Sequence, residues 1–166
     1  GLGALVEGRI FEAEQRFDHA LRLAEDQAGR SSSAAALPAG YLGAIHYEWN
    51  ETARAGEILG ERFGTAIETS PIGSLTRFCL TAARLAALRG ERDEAYRTLE
   101  QAAAVARDRD WLRMLTACEG EMVRLLVEDA ALARASRVVQ GLAGRMPATQ
   151  PAPPGSFTET HCHFEL

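Results

Sequence analysis

A small or turn-forming residue, followed five, nine and twelve places later by apolar or small residues, recurs four times along the chain. The copies are Gly8, Ala13, Phe17, Ala20, then Asn50, Ala55, Leu59 with Arg62 at the last place. They continue with Gly90, Ala95, Leu99, Ala102 and with Ala130, Ala135, Val139, Leu142. Gly8 to Asn50 is 42 residues, while Asn50 to Gly90 and Gly90 to Ala130 are 40 each. Near-constant spacing over four copies is the signature of a structural repeat.

The physical content of the pattern is a helical hairpin. Gly8, Asn50 and Gly90 tolerate the left-handed backbone that ends one helix and turns into the next. The alanine five residues later sits where two antiparallel helices approach closely. The Phe, Leu or Val four places beyond it shares that helix face and fills the space between pairs. Each hairpin then exposes an apolar face that a neighbouring hairpin covers.

This register predicts helices near 10–28, 35–48, 51–69, 72–89, 91–107, 110–128 and 131–144. Local signals mark several starts. Ser70 before Pro71 reads as an N-cap with proline at the first helical position. Asp108 or Asp110 suits the cap of the helix carrying Trp111, and Ser156 with Glu159 matches a capping box. The division expected is four hairpins over 1–146, the first truncated, a Pro-rich linker at 147–155 and a truncated helix at 156–166. Four prolines in that linker remove donors and stiffen the chain. The first residues read as the tail of a hairpin's first helix, and the last as a helix just begun, so continuation in a longer protein is expected at both ends.

Composition agrees with helix throughout, being rich in Ala, Leu, Arg and Glu. The charge of −5, from 18 basic and 23 acidic residues, argues against direct contact with nucleic acid, which calls for a basic excess. Three scattered cysteines, Cys79, Cys118 and Cys162, suit a reducing, cytoplasmic compartment better than a disulfide framework. No apolar run approaches the roughly 20 residues that span a bilayer, so no membrane partner is expected.

The stretch Gly40-Tyr41-Leu42-Gly43-Ala44-Ile45-His46-Tyr47-Glu48-Trp49-Asn50, with Ala53 and Ala55, resembles the "YEWN…A" hairpin of large bacterial regulators of the MalT type, the ATP-dependent members of the LuxR family. Gly8-Arg9-Ile10-Phe11-Glu12-Ala13 and Arg89-Gly90-Glu91-Arg92-Asp93-Glu94-Ala95 are similar to neighbouring turns of the same domain. The resemblance implies an all-α fold, a right-handed superhelix (a solenoid) of antiparallel tetratricopeptide-like (TPR-like) hairpins with a period of about 40 residues. It also implies a sensor role, with a small-molecule inducer or a regulatory protein as partner. DNA would be read by a separate C-terminal helix-turn-helix and ATP bound by an N-terminal domain. Neither a G-x-x-x-x-G-K-[ST] phosphate loop nor a basic recognition helix occurs in this chain. A general TPR-like scaffold unrelated to transcription is the alternative, and oligomerisation is left open.

Candidate chemistry is sparse. His161-Cys162-His163 carries ligand-type side chains, but histidines two apart on a helix point about 200° apart, so no metal site is expected. A Cys–His pair of Cys79 or Cys118 with His46 is weighed and set aside, because cysteine on a helix usually packs as a small core residue. No catalytic residue and no cofactor is expected. The candidate groove residues are Tyr47, Glu48, Arg84, Arg124 and Trp111. Arg84 and Arg124 are one repeat apart, so two guanidinium groups would form a strip for carboxylates. Trp49 reads as packing at the hairpin corner, and Trp111 and Met114 as groove anchors or core.

Overall fold

In a computed structural model the described residues are 1–60 and 62–145, and among them every regular element is a helix. In chain order these are α1 (Leu2–Val6), α2 (Ile10–Ala28), α3 (Ser33–Glu48), α4 (Thr52–Leu59), α5 (Phe63–Thr69), α6 (Ile72–Leu88), α7 (Arg92–Asp108), α8 (Leu112–Glu128) and α9 (Leu132–Arg145). The expected linker at 147–155, the helix at 156–166 and the His161-Cys162-His163 cluster lie outside the described residues.

The repeat is written in the turns. Gly8, Asn50, Gly90 and Ala130 have φ of 75°, 61°, 79° and 55°, all left-handed. At each, the following residue donates its N–H to the carbonyl five positions back, from Arg9 to Ala4, Glu51 to His46, Glu91 to Ala86 and Ala131 to Leu126, at 2.8 to 2.9 Å. The turn residue itself donates to the carbonyl three back. This pair of bonds satisfies carbonyls that a helix end leaves without partners. Asp110, φ 53°, repeats the device at the junction of α7 and α8, where Trp111 donates to Ala106 at 2.8 Å.

Ala130 holds a left-handed conformation against its own Cβ, at a cost of roughly 1–2 kcal/mol. Replacing Ala130 by glycine is therefore expected to stabilise the chain by about 0.5–1 kcal/mol, since glycine's greater unfolded entropy offsets part of the gain. Gly90→Ala is expected to shift stability by a similar amount in the opposite direction. A urea midpoint that moves the same way for both variants would contradict this assignment of the turns.

Three local expectations change. The helix foreseen at 51–69 is broken into α4 and α5 at Gly60, φ 42°. The N-cap of α6 is Pro71, not Ser70, which closes α5 instead. Trp111 caps α8 without a side-chain bond, because the left-handed turn places Asp110 one residue outside.

Two compact units divide the chain, one up to Ala95 and one from Tyr96 onward. In the first, α3 packs against α2, α4, α5 and α6. Its small residues allow this, since a Cβ on Gly40 would lie 2.6 Å from Ser74 Oγ and 2.7 Å from the Ser74 carbonyl oxygen. Ser74 Oγ donates to the Leu37 carbonyl at 2.8 Å, binding the same two helices together. Arg62 secures the break between α4 and α5: its buried guanidinium donates to the carbonyls of Arg30 (2.8 Å) and Ile58 and pairs with Glu25. Burial lowers its pKa, with Glu25 acting in the opposite direction.

In the second unit α8 buries Met114, Cys118, Met122 and Leu125, and packs against α9. The repeat alanines Ala13, Ala55, Ala95 and Ala135 are all buried, as are Phe17, Leu59 and Leu99. Val139 departs from the pattern at 41% exposure, as among the described residues no helix follows α9 to cover that face. Ala20 is also exposed, at the edge of an open groove beside Leu37, Pro38 and Pro71.

Candidate functional site

Three of the candidate groove residues meet on one face of the first unit. Arg84 on α6 places its guanidinium 6.0 Å from the centre of the Tyr47 ring and 4.0 Å from Glu48, both on α3. Seven residues earlier on α6, Arg77 lies over the ring of Tyr41, 5.1 Å from its centre. Tyr41 is itself stacked on Phe17 of α2, with ring centres 4.8 Å apart and planes within 5°. The result is two guanidinium groups, each held over a tyrosine ring, two helical turns apart on α6. Arg77 is exposed, Arg84 and Tyr47 are partly exposed, and Tyr41 is buried.

Sequence reasoning missed Arg77. The signal was there, since residues seven apart share a helix face, but the repeat spacing drew attention from Arg84 to Arg124. Arg124 lies in the second unit, paired with Glu121 at 2.6 Å and with Glu128. Glu121 is buried, so this pair anchors a carboxylate within α8. A second buried carboxylate, Glu119, meets Arg107 at 3.2 Å. Trp111 is half-buried at the start of α8, under the guanidinium of Arg109 at 4.9 Å. Met114 is fully buried and belongs to the core.

The corner after α3 holds packing chemistry. Trp49 lies 5.3 Å from Phe11 and meets the His46 ring edge-on at 5.6 Å. His46 is buried, with Nδ1 2.6 Å from Glu51 and Nε2 accepting from Arg54 at 3.4 Å. That arrangement puts the proton on Nδ1 and donates it to Glu51. Glu14 stands 3.7 Å from Nε2. The ring ties α3 to the helices on either side of it.

Cys79 and Cys118 are both buried. Burial, helped by Glu119 and Glu121 and opposed by Arg107, pushes the Cys118 thiol up to about 12. A reactive cysteine needs the reverse shift. Folding therefore favours the neutral thiol. Its contribution is intact below the ordinary value of 9.0 and is lost as pH rises from there toward about 12. In a chain carrying Cys162→Ser, neither remaining thiol should react with Ellman's reagent at pH 8 until denaturant is added. Fast labelling of the native chain would overturn this.

The family model described as the MalT-like TPR region matches residues 4–163. The chain belongs to that family. No curated protein and no solved structure matches it. Membership agrees with the all-helical, TPR-like hairpins of the described residues. Among the described residues no helix is long and apolar enough to cross a membrane.

Proposed function

We propose that this chain is the sensor part of a MalT-like regulator of the LuxR family, acting in the cytoplasm. It receives a small-molecule inducer or a regulatory protein and relays that event to ATP-binding and DNA-binding domains outside this chain. The family match over residues 4–163 carries this reading. The grouping of Tyr47, Glu48 and Arg84 on one accessible face supports it. Residues 1–146 would serve as four hairpins, with Arg124 and Trp111 as further candidate contacts.

The chain's own part is binding, not catalysis. The buried thiols and the engaged His46 support that assignment. A relay demands that the bound partner prefer one arrangement of the neighbouring domains over another. Turning a regulator from 1:99 to 99:1 takes a preference of about 10⁴-fold. The gene that encodes this chain supplies a direct test. A phosphate loop encoded upstream and a helix-turn-helix downstream are expected, and absence of both would remove the proposal in favour of a general TPR-like scaffold.

A further inference from the structure

From the Phe11–Trp49 pair at the turn edge of the first two hairpins we infer that this edge holds a basic segment of a partner protein, with an arginine laid over the open face of Phe11. The inference rests on the binding role proposed above and names the chemistry of the partner. Phe11 lies three places after the turn residue Gly8, and Trp49 one place before the turn residue Asn50. The other copies hold Ala53, Asp93 and Ala133 at the first place and Glu7, Arg89 and Asp129 at the second, and all six are exposed. The hairpin register therefore asks for no large apolar side chain at either place. Ala53 stays exposed although α4 packs against both α3 and α6. Its place opens to solvent by its position at the turn, and not for want of a neighbouring hairpin.

The two rings meet with centres 5.3 Å apart and planes 31° from parallel. Trp49, held in turn by its edge contact with His46, seats Phe11 on one side. Phe11 is nevertheless 76% exposed, so the other side of its ring faces water. A ring that stands out from the surface offers a face and not a pocket, and an aliphatic side chain laid on it would stay largely wet. A guanidinium suits it better, being planar, weakly hydrated and drawn to the negative face of the ring. The surround has the matching sign. Residues 7–18 carry four carboxylates and residues 46–54 two, against three guanidinium groups, Arg9, Arg16 and Arg54. Glu7 and Glu12 both engage Arg9, and Glu51 engages His46, so the surround draws a cation by its net charge and not through an empty pair. The same excess repels nucleic acid.

The test uses the full 166-residue chain and a peptide of alternating Arg and Gly carrying a neutral fluorophore, with anisotropy as the readout. Peptides with citrulline or norleucine in place of arginine are the controls. Citrulline keeps the shape without the charge, and norleucine keeps only the apolar reach. The arginine peptide should bind, and both controls should bind about tenfold more weakly or not at all. Phe11→Ala should weaken binding of the arginine peptide by about two- to fivefold. Phe11→Leu should weaken it equally, because leucine keeps an apolar contact with Trp49 but has no ring face for a cation. A merely structural role for Phe11 predicts that leucine restores binding.

Phe11 is exposed, so both variants should keep the helical circular dichroism of the parent chain. Should Phe11→Ala lose it, Phe11→Leu gives the reading. A norleucine peptide that binds as tightly as the arginine peptide would overturn the inference, since the face would then be plain apolar surface. So would binding of the arginine peptide that survives Phe11→Leu unchanged, because net charge alone would then account for it. A dimer of the chain, seen by sedimentation and abolished by Phe11→Ala, would give the face to a second copy and overturn the inference too. Those results would leave the regulatory role to be decided by its own test on the parent protein.

Discussion

Gly40→Ala is expected to destabilise the chain by about 2 kcal/mol, although the same change at an exposed helical glycine is stabilising. Alanine is the better helix former by roughly 1 kcal/mol. That gain is outweighed at Gly40, where the new Cβ would lie 2.7 Å from the carbonyl oxygen of Ser74 and 2.6 Å from its Oγ. A side-chain tip could rotate away, but a backbone carbonyl moves only if α6 moves with it. Overfilling of this kind costs about 1–3 kcal/mol, and more where backbone must shift. Ser74 also binds the Leu37 carbonyl, so displacement of α6 strains that bond as well. Gly56 in α4 has nothing within 4 Å of its ideal Cβ. Gly56→Ala should accordingly raise stability by about 0.5–1 kcal/mol. For a chain of this size the two variants should melt on opposite sides of the parent, with Gly40→Ala about 4–8 °C lower. Shifts of the same sign would show that the close crossing of α3 and α6 is misassigned.

Ala95→Trp is expected to cost more than about 3 kcal/mol, because it enlarges the most constrained place in the hairpin register. Ala95 is 0% exposed, five residues after the left-handed turn at Gly90. Ala13, Ala55 and Ala135 occupy the same place in the other copies and are buried too. An indole there cannot be housed by a rotamer change, and an overpacked core forces backbone displacement. Ala104 on the same helix α7 is exposed, so Ala104→Trp should leave the melting temperature nearly unchanged. Circular dichroism melts of the two variants compare them directly. Equal stability would mean that the repeat register is displaced along the helix.

How far the sequence reveals this fold depends on the range of the forces involved. Gly8, Asn50 and Gly90 announce their turns locally, because few residues accept a positive φ. Ala130 makes no such announcement, and its turn is legible only from its distance of 40 residues after Gly90. The break at Gly60 was hidden for the opposite reason. What secures it is Arg62 reaching Glu25, 37 residues earlier, a contact that no helical periodicity contains. Arg62 at an otherwise apolar place in the pattern was the only trace of it.

The candidate site was legible in part for related reasons. Tyr47, Glu48 and Arg84 are each singled out by the sequence, but that Arg84 meets the other two is a contact between neighbouring helices which no spacing contains. Arg77 and Tyr41 escaped notice because their contact joins residues 36 apart on α6 and α3, which no helical spacing contains. Arg124 makes contacts that helical spacing does announce. Glu121 and Glu128, three and four residues away on the same helix, were near enough in sequence to pair with it.

The central claim, that these hairpins sense a partner on behalf of a transcription regulator, is tested most directly in the parent protein. Output from its target promoter should be compared, across the growth conditions that switch it, before and after residues 4–145 are replaced by a flexible Gly/Ser linker. The account predicts that the shortened protein, still present at normal abundance, gives one level of transcription under every condition. A shortened protein that switches between the same two levels as the parent would contradict it.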